Sequence, residues 1–252
     1  MKLFSEYGYG PIRGMFSIDH LIFTVLGIIT IILLLILTKN KTKTQIEKYI
    51  KYIFIVVTIL EILKIIWNFC VRTNLELINW VPLYFCSLFI YASGMYSYGK
   101  GMIKKIGLFL ITYGQIIGGL VFLVFPASSV GIQPLCHILT IHSWVYHVLT
   151  GYAGIILIIK NLEVFKFGDI KIYGPTILGI ELFVYLFNII FDTNMMFING
   201  PGVIEPLNYV LNIFGSFYPL IIGLFQGLGS FILSYWIIKI IRKFKNKDLS
   251  VS

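Results

Sequence analysis

The chain has 252 residues, of which 58% are hydrophobic and only 12% charged, with a mean hydropathy of +0.90. A soluble domain carries about a quarter charged residues, so this composition excludes one. The formal charge of +9 does not indicate a nucleic-acid partner, because the basic residues form short runs between apolar segments, where they oppose translocation and set topology.

The first 18 residues include Glu6, Tyr7, Gly8 and Arg13 and contain no long apolar run, so no cleavable signal peptide is expected. The first spanning helix then directs its own insertion. A spanning helix needs about 20 mostly apolar residues. Seven segments approach that length: 21–37, 50–70, 81–98, 102–125, 135–159, 173–191 and 218–241. The predicted fold is all-α, a single polytopic membrane domain over residues 1–252 built as a seven-transmembrane-helix bundle. Pro82, Pro175 and Pro219 fall at or near predicted helix starts, where a missing N–H is tolerated. Pro126, Pro134, Pro201 and Pro206 fall in connections.

Charge alternates between consecutive connections as a membrane bundle requires. Lys39, Lys41, Lys43, Lys48 and Lys51 follow the first segment, and Lys100, Lys104 and Lys105 surround the third connection. Lys160, Lys166 and Lys171 mark the fifth, and Lys239, Arg242, Lys243, Lys245 and Lys247 close the chain. That puts 16 of the 20 basic residues on one face. The opposite face holds Lys2, Arg13 and Arg72, with Lys64 inside the second segment. The positive face is the cytoplasmic one, so the N-terminus is predicted outside and the C-terminus in the cytoplasm. The connections leave no room for a nucleotide-binding domain, no P-loop pattern is present, and no internal repeat is evident. Within the long connection 192–217, residues 208–217 fit a loop, an interfacial helix or a re-entrant segment equally well.

Topology converts positions into depths. At about 1.5 Å per residue from the outer ends, Asn68 and Asn188 lie about 6 Å deep and Cys86 about 8 Å. Lys64 follows at about 12 Å, Gln115 at about 15 Å, Glu61 at about 17 Å and His147 at about 18 Å. His20, His137, Asp192 and Asn194 fall at the outer mouth. Polar groups in membrane helices are expensive, so their convergence on the outward half marks a candidate pocket.

Glu61 and Lys64 are three residues apart and share a helix face with Asn68. The pair either neutralises itself and locks helices together, or leaves Glu61 to orient an imidazole on another helix. His142 and His147 point about 140° apart, and His137 lies about 15 Å along the axis from His147. With no histidine pair and no Cys-x-x-Cys, no metal or other cofactor is expected. His147 either bonds to a neighbouring helix or serves as a base. Of the three cysteines, Cys70 and Cys136 lie near one interface and are placed to pair, which leaves Cys86 free. A free membrane cysteine is either a small packing residue or a nucleophile. The glycine-rich runs 114–119 and 223–229 allow close helix approach.

Several motifs stand in order: Phe16-Ser17-Ile18-Asp19-His20-Leu21, then Glu61 and Trp67, then Val81-Pro82-Leu83-Tyr84-Phe85-Cys86. His147 within Ser143-Trp144-Val145-Tyr146-His147 follows, and Asn188 with Asp192-Thr193-Asn194-Met195-Met196-Phe197 completes the set. Together they resemble the YwaF-like family of bacterial integral membrane proteins, distantly similar to the eukaryotic acyltransferase transmembrane protein 164. Tyr84 stands where the family has histidine, and Asp192 where it has glycine. The resemblance implies a multi-pass protein of the bacterial plasma membrane in which Cys86 and His147 act together in acyl transfer on a lipid.

Two activities follow. In the first, His147 takes the Cys86 proton, the thiolate attacks a phospholipid or other acyl-lipid ester, and the acyl group passes to a second lipid or to water. Glu61 then orients the base, Asn68, Asn188 or Asn194 donates to the oxyanion, and His137 is the alternative base. The depth difference of about 10 Å between Cys86 and His147 requires helix tilt or an unwound start to the third helix. In the second, the chain is a non-catalytic small-solute transporter or binding component gated by Glu61 and Lys64. Either site opens toward the exterior or outer leaflet.

Overall fold

The computed structural model of the chain describes residues 4–6, 14, 16–125, 133–202 and 204–249. Lys2, Tyr7, Gly8, Arg13 and Pro126 lie outside these. Among the described residues there is no strand. The helices are α1 (Ile18–Thr38), α2 (Lys43–Val71), α3 (Leu88–Tyr98), α4 (Gly101–Val124), α5 (Ile138–Lys160), α6 (Ile170–Phe191), α7 (Glu205–Phe214) and α8 (218–249). Six helical stretches are long and apolar enough to cross a membrane, the last of them taking in α7 and α8 together.

The third predicted span is the main correction. Only 11 of its residues are helical, about 16 Å of axis against a hydrocarbon thickness of about 30 Å. Residues 81–87 approach α3 as irregular chain. Pro82 has no N–H to donate and disfavours helix at Val81, which separates this stretch from the turn at 77–80; residues 83–87, which a helix beginning at Pro82 could have included, stay irregular. Six helical stretches are thus long enough to span alone, and segment 81–98 makes the remaining crossing, from the end of α2 to the Lys104-bearing start of α4, as irregular chain followed by the half-length α3. Smaller differences also concern prolines. Pro206 opens α7 rather than lying in a connection. Pro175 sits inside α6, beyond its first turn, and leaves the Lys171 carbonyl without its helical bond.

Helix starts follow their sequence signals. Thr42 caps α2 reciprocally with Gln45, at 2.9 and 3.3 Å, and Ser17 caps α1 through the His20 amide. Residues 205–214 form a separate helix with no buried side chain, and Gly215 at φ +50° ends it. The helix carries apolar residues on an exposed face, including Tyr209 and Ile213, which favours the interfacial option for this stretch.

The basic residues meet at one end. Lys160 donates to the Lys39 carbonyl at 2.7 Å, Lys104 pairs with Glu47 at 3.1 Å, and Arg242 donates to the carbonyls of Leu162 and Phe165. The connections predicted to share a face do share one, called the basic end below.

Two π-helical turns interrupt the spans, at Leu110–Gln115 in α4 and Phe225–Gly229 in α8. Such a turn releases carbonyls from the helical ladder. The Ser234 hydroxyl takes up that of Tyr113 at 3.0 Å, and the Ser230 hydroxyl that of Gly227 at 2.8 Å. Around Tyr113 an aromatic core of Phe109, Phe165, Tyr173 and Phe231 ties α4, α6 and α8 together. Helices α4 and α5 cross at Gly119 and Gly151, where a Cβ on Gly119 would stand 2.9 Å from the Gly151 nitrogen. That backbone approach requires glycine.

Candidate functional site: a buried charged cluster beside Cys86

Irregular backbone within a membrane bundle is tolerated only where protein satisfies its polar groups. Here two helices do so. Gln115 on α4 donates to the Phe85 carbonyl at 2.8 Å, and the Tyr146 hydroxyl on α5 donates to the Cys86 carbonyl at 3.3 Å. Both donors are buried and come from sequence separations of 30 and 60 residues. Cys86 is thereby fixed immediately before Ser87, the residue that opens α3. It is only partly buried and its thiol is free. Cys70 and Cys136 are free and exposed as well, so the expected pairing between them is not made.

Glu61 is 5% exposed, and one of its oxygens is paired with Lys64 as the spacing predicts. The other faces His142 on α5, with Nε2 at 3.7 Å. The charges of Lys64 and Glu61 both reach Cys86, and that of Lys64 also reaches His142 and His147. Direct contacts join Glu61 and Lys64 of α2 with His142 of α5, and Cys86 and His147 lie within range of the Lys64 charge.

His147 is held flat on Phe122 of α4, with ring centroids 3.6 Å apart and planes 10° from parallel. Its Nδ1 lies 2.7 Å from the Ser143 carbonyl. A carbonyl accepts only from an N–H, so Nδ1 carries the hydrogen and Nε2 keeps its lone pair. Nε2 is buried without a hydrogen-bond partner. The arrangement is an oriented, unoccupied base.

The three asparagines named from sequence are engaged elsewhere. Asn68 donates to the Asn79 carbonyl and accepts from Arg72. Asn188 uses all its capacity on the following loop, bonding both the amide and the carbonyl of Met195, the Thr193 hydroxyl and the Asn199 side chain. Asn194 bonds the Gly200 carbonyl and the Asn199 amide. These contacts shape the turn after α6, where Asp192 adopts φ +49°. That left-handed conformation suits the glycine found at this position in the resembling family.

His137 caps α5, accepting from the Leu139 amide at 3.1 Å while Nε2 meets the Ser5 carbonyl at 3.1 Å. Both ring nitrogens are occupied. Burial lowers its pKa from the ordinary 6.5, outweighing the opposing bond to Ser5. The folded protein thus binds fewer protons here than the unfolded chain, so stability is full above about pH 6.5 and falls as pH drops below it. Protonation also puts a hydrogen on Nδ1 and breaks the cap. Melting temperature measured from pH 7.5 to 5 is expected to fall in wild type and to fall less in His137→Asn, which keeps a capping oxygen without titrating. Equal slopes would remove His137 from the pH response.

Sequence reasoning missed two contributors, His142 and Tyr146, whose partners lie on other elements, and, away from this site, Glu181, a single acid inside an apolar helix. Among the described residues no three His, Cys, Asp or Glu side chains gather as a metal ion would need.

A bundle of membrane-capable helices enclosing a charged cluster beside an unwound cysteine segment defines a polytopic membrane protein with a buried polar centre. The sequence profile of the TMEM164 family matches residues 15–237, and the chain belongs to that family. No curated protein and no solved structure matches the chain.

Proposed function

We propose that the chain is a lipid acyltransferase, or an acyl hydrolase when water is the acceptor, with Cys86 as nucleophile and His147 as base. The basic end faces the cytoplasm and the site opens toward the outer leaflet. The observation that carries the reading is the unwinding of 81–87, which presents Cys86 at the N-terminal end of α3 beside Lys64. The free thiol there lies within reach of the Lys64 charge, and His147 is the base that takes its proton.

In the reaction His147 Nε2 takes the thiol proton and the sulfur bonds to the ester carbonyl carbon. Lys64 offsets the charge developing on the carbonyl oxygen. The carbon–oxygen ester bond then breaks, and the departing lysolipid oxygen takes the proton from His147. An acyl thioester remains on Cys86. A hydroxyl of a second lipid gives its proton to His147 and attacks the thioester, which transfers the acyl chain and releases the thiolate; His147 then returns the proton to the sulfur. Glu61, paired with Lys64 and facing His142, holds the charges in place.

The test is covalent. Protein in lipid nanodiscs receives phospholipid carrying a radiolabelled acyl chain and is then denatured. Label released by neutral hydroxylamine and mapped to Cys86 is the expected result. A chain that takes no label, leaves the acyl distribution unchanged and ignores a thiol-directed probe at Cys86 is not this enzyme; solute uptake lost in a normally expressed, folded Glu61→Gln would then favour transport.

A further inference from the structure

A second feature lies away from Cys86, between α6 and α8. Glu181 is 5% exposed, and neither carboxylate oxygen has a hydrogen-bond partner. No cationic side chain among the described residues acts on it. Lys64 and His142 answer Glu61; no described residue answers Glu181 in this way. A buried carboxylate left without donors carries a large desolvation penalty, and such groups in membrane helices mark function.

The packing around Glu181 leaves room for it. Across from the carboxylate stand Gly223 and Gly227 of α8, where an added Cβ would lie 3.2–3.3 Å from its oxygens. Gly227 belongs to the π-helical turn of α8. Glu181 lines a cavity of about 350 Å³ with Leu178, Leu182, Leu220, Leu224 and Phe217. That volume is within the range of small-molecule pockets, and a few polar groups, here Glu181 with Tyr185 and Ser216, in a mainly apolar lining are their usual composition. The cavity runs from Phe217, in the turn between α7 and α8, toward Glu181, ten residues before the end of α6 and about 15 Å along it. Leu182, Leu220 and Phe217 are exposed at its mouth. In a membrane those side chains meet lipid, so entry is lateral.

We infer that the slot between α6 and α8 is a binding site for a lipophilic ammonium compound, one positively charged amine on a compact apolar body, arriving from the surrounding lipid. A neutral hydroxyl would bring one donor and no charge. An ammonium brings up to three donors and the missing counter-charge, so it satisfies both oxygens and relieves the penalty. The leucines take the apolar body.

The experiment uses full-length protein in phosphatidylcholine nanodiscs with radiolabelled 1-adamantylammonium as probe and 1-adamantanol as its neutral counterpart. Expected are saturable binding to wild type, competition by the alcohol at least tenfold weaker than by unlabelled ammonium, and at least a tenfold loss of affinity in Glu181→Gln. Leu220→Trp, which places bulk at the mouth on an exposed position, is expected to block binding and covers the case in which Glu181→Gln does not fold. Absence of saturable binding, equal competition by the alcohol, unchanged affinity in a folded Glu181→Gln or undiminished binding in Leu220→Trp would each overturn the assignment.

Discussion

Cys86→Ala is expected to lower acyl transfer between phospholipids in reconstituted vesicles by roughly a thousandfold or more, the scale seen when a covalent nucleophile is removed. The melting temperature should stay close to wild type. Cys86 is only partly buried, and its local conformation is held through its backbone by Tyr146, which the substitution leaves untouched. Cys86→Ser should be almost as slow, because the site offers a base but no means of making a serine hydroxyl as reactive as a thiolate. His147→Gln should lose about a hundred- to ten-thousandfold, the usual contribution of a general base. Phe122→Ala should lose less, since it only frees the ring that Phe122 holds at 3.6 Å. His142→Ala separates the two histidines: a loss larger than that of His147→Gln would transfer the base to the imidazole facing Glu61. A Cys86→Ala protein that retains its rate removes covalent catalysis altogether.

Most of the scaffold was legible from hydropathy and charge, and the places where it was not share a cause. Segment 81–98 is as apolar as a spanning helix, but hydropathy sums composition and is blind to the backbone. Pro82 sits too close to the apolar run to register as a break. The donors that make the irregular chain tolerable, Gln115 and Tyr146, are distant in sequence, so no spacing rule reveals them. Depth was readable and direction was not: Asn68, Asn188 and Asn194 stand at polar levels of their helices yet spend their amides on local turns. The i, i+3 pair of Glu61 and Lys64 was visible because helix geometry alone brings it together. Its third member, His142, was not, because the crossing of α2 with α5 decides that contact. The angle between His142 and His147 excluded a shared metal ligand and left their separate roles unread. Glu181 needed only attention to a single acid in an apolar run, a signal that the averaged hydropathy of its helix conceals.

Whether the charged cluster exists for chemistry or for scaffold is decided by its stability. Glu61→Gln removes the counter-charge of Lys64 and the partner facing His142, and breaking a buried ion pair in this way typically costs about 3–5 kcal/mol. Lys64 keeps 24% of its side chain exposed, so the lower end, about 3 kcal/mol, is expected for the single variant. Removing both charges in Glu61→Gln/Lys64→Met leaves no unpaired ion and should recover most of that loss, as replacement of buried pairs by uncharged side chains commonly does. Unfolding measured in nanodiscs for the two singles and the double gives a coupling energy, expected at about 2 kcal/mol or more for groups in direct contact. A Glu61→Gln variant within about 0.5 kcal/mol of wild type, the ordinary effect of a surface change, would sink the buried-pair account. The double variant then carries the functional question. If the pair were only scaffold, a refolded double would transfer acyl chains normally. With Lys64 opposing the oxyanion and Glu61 holding its place beside Cys86, the double should be stable and nearly inactive.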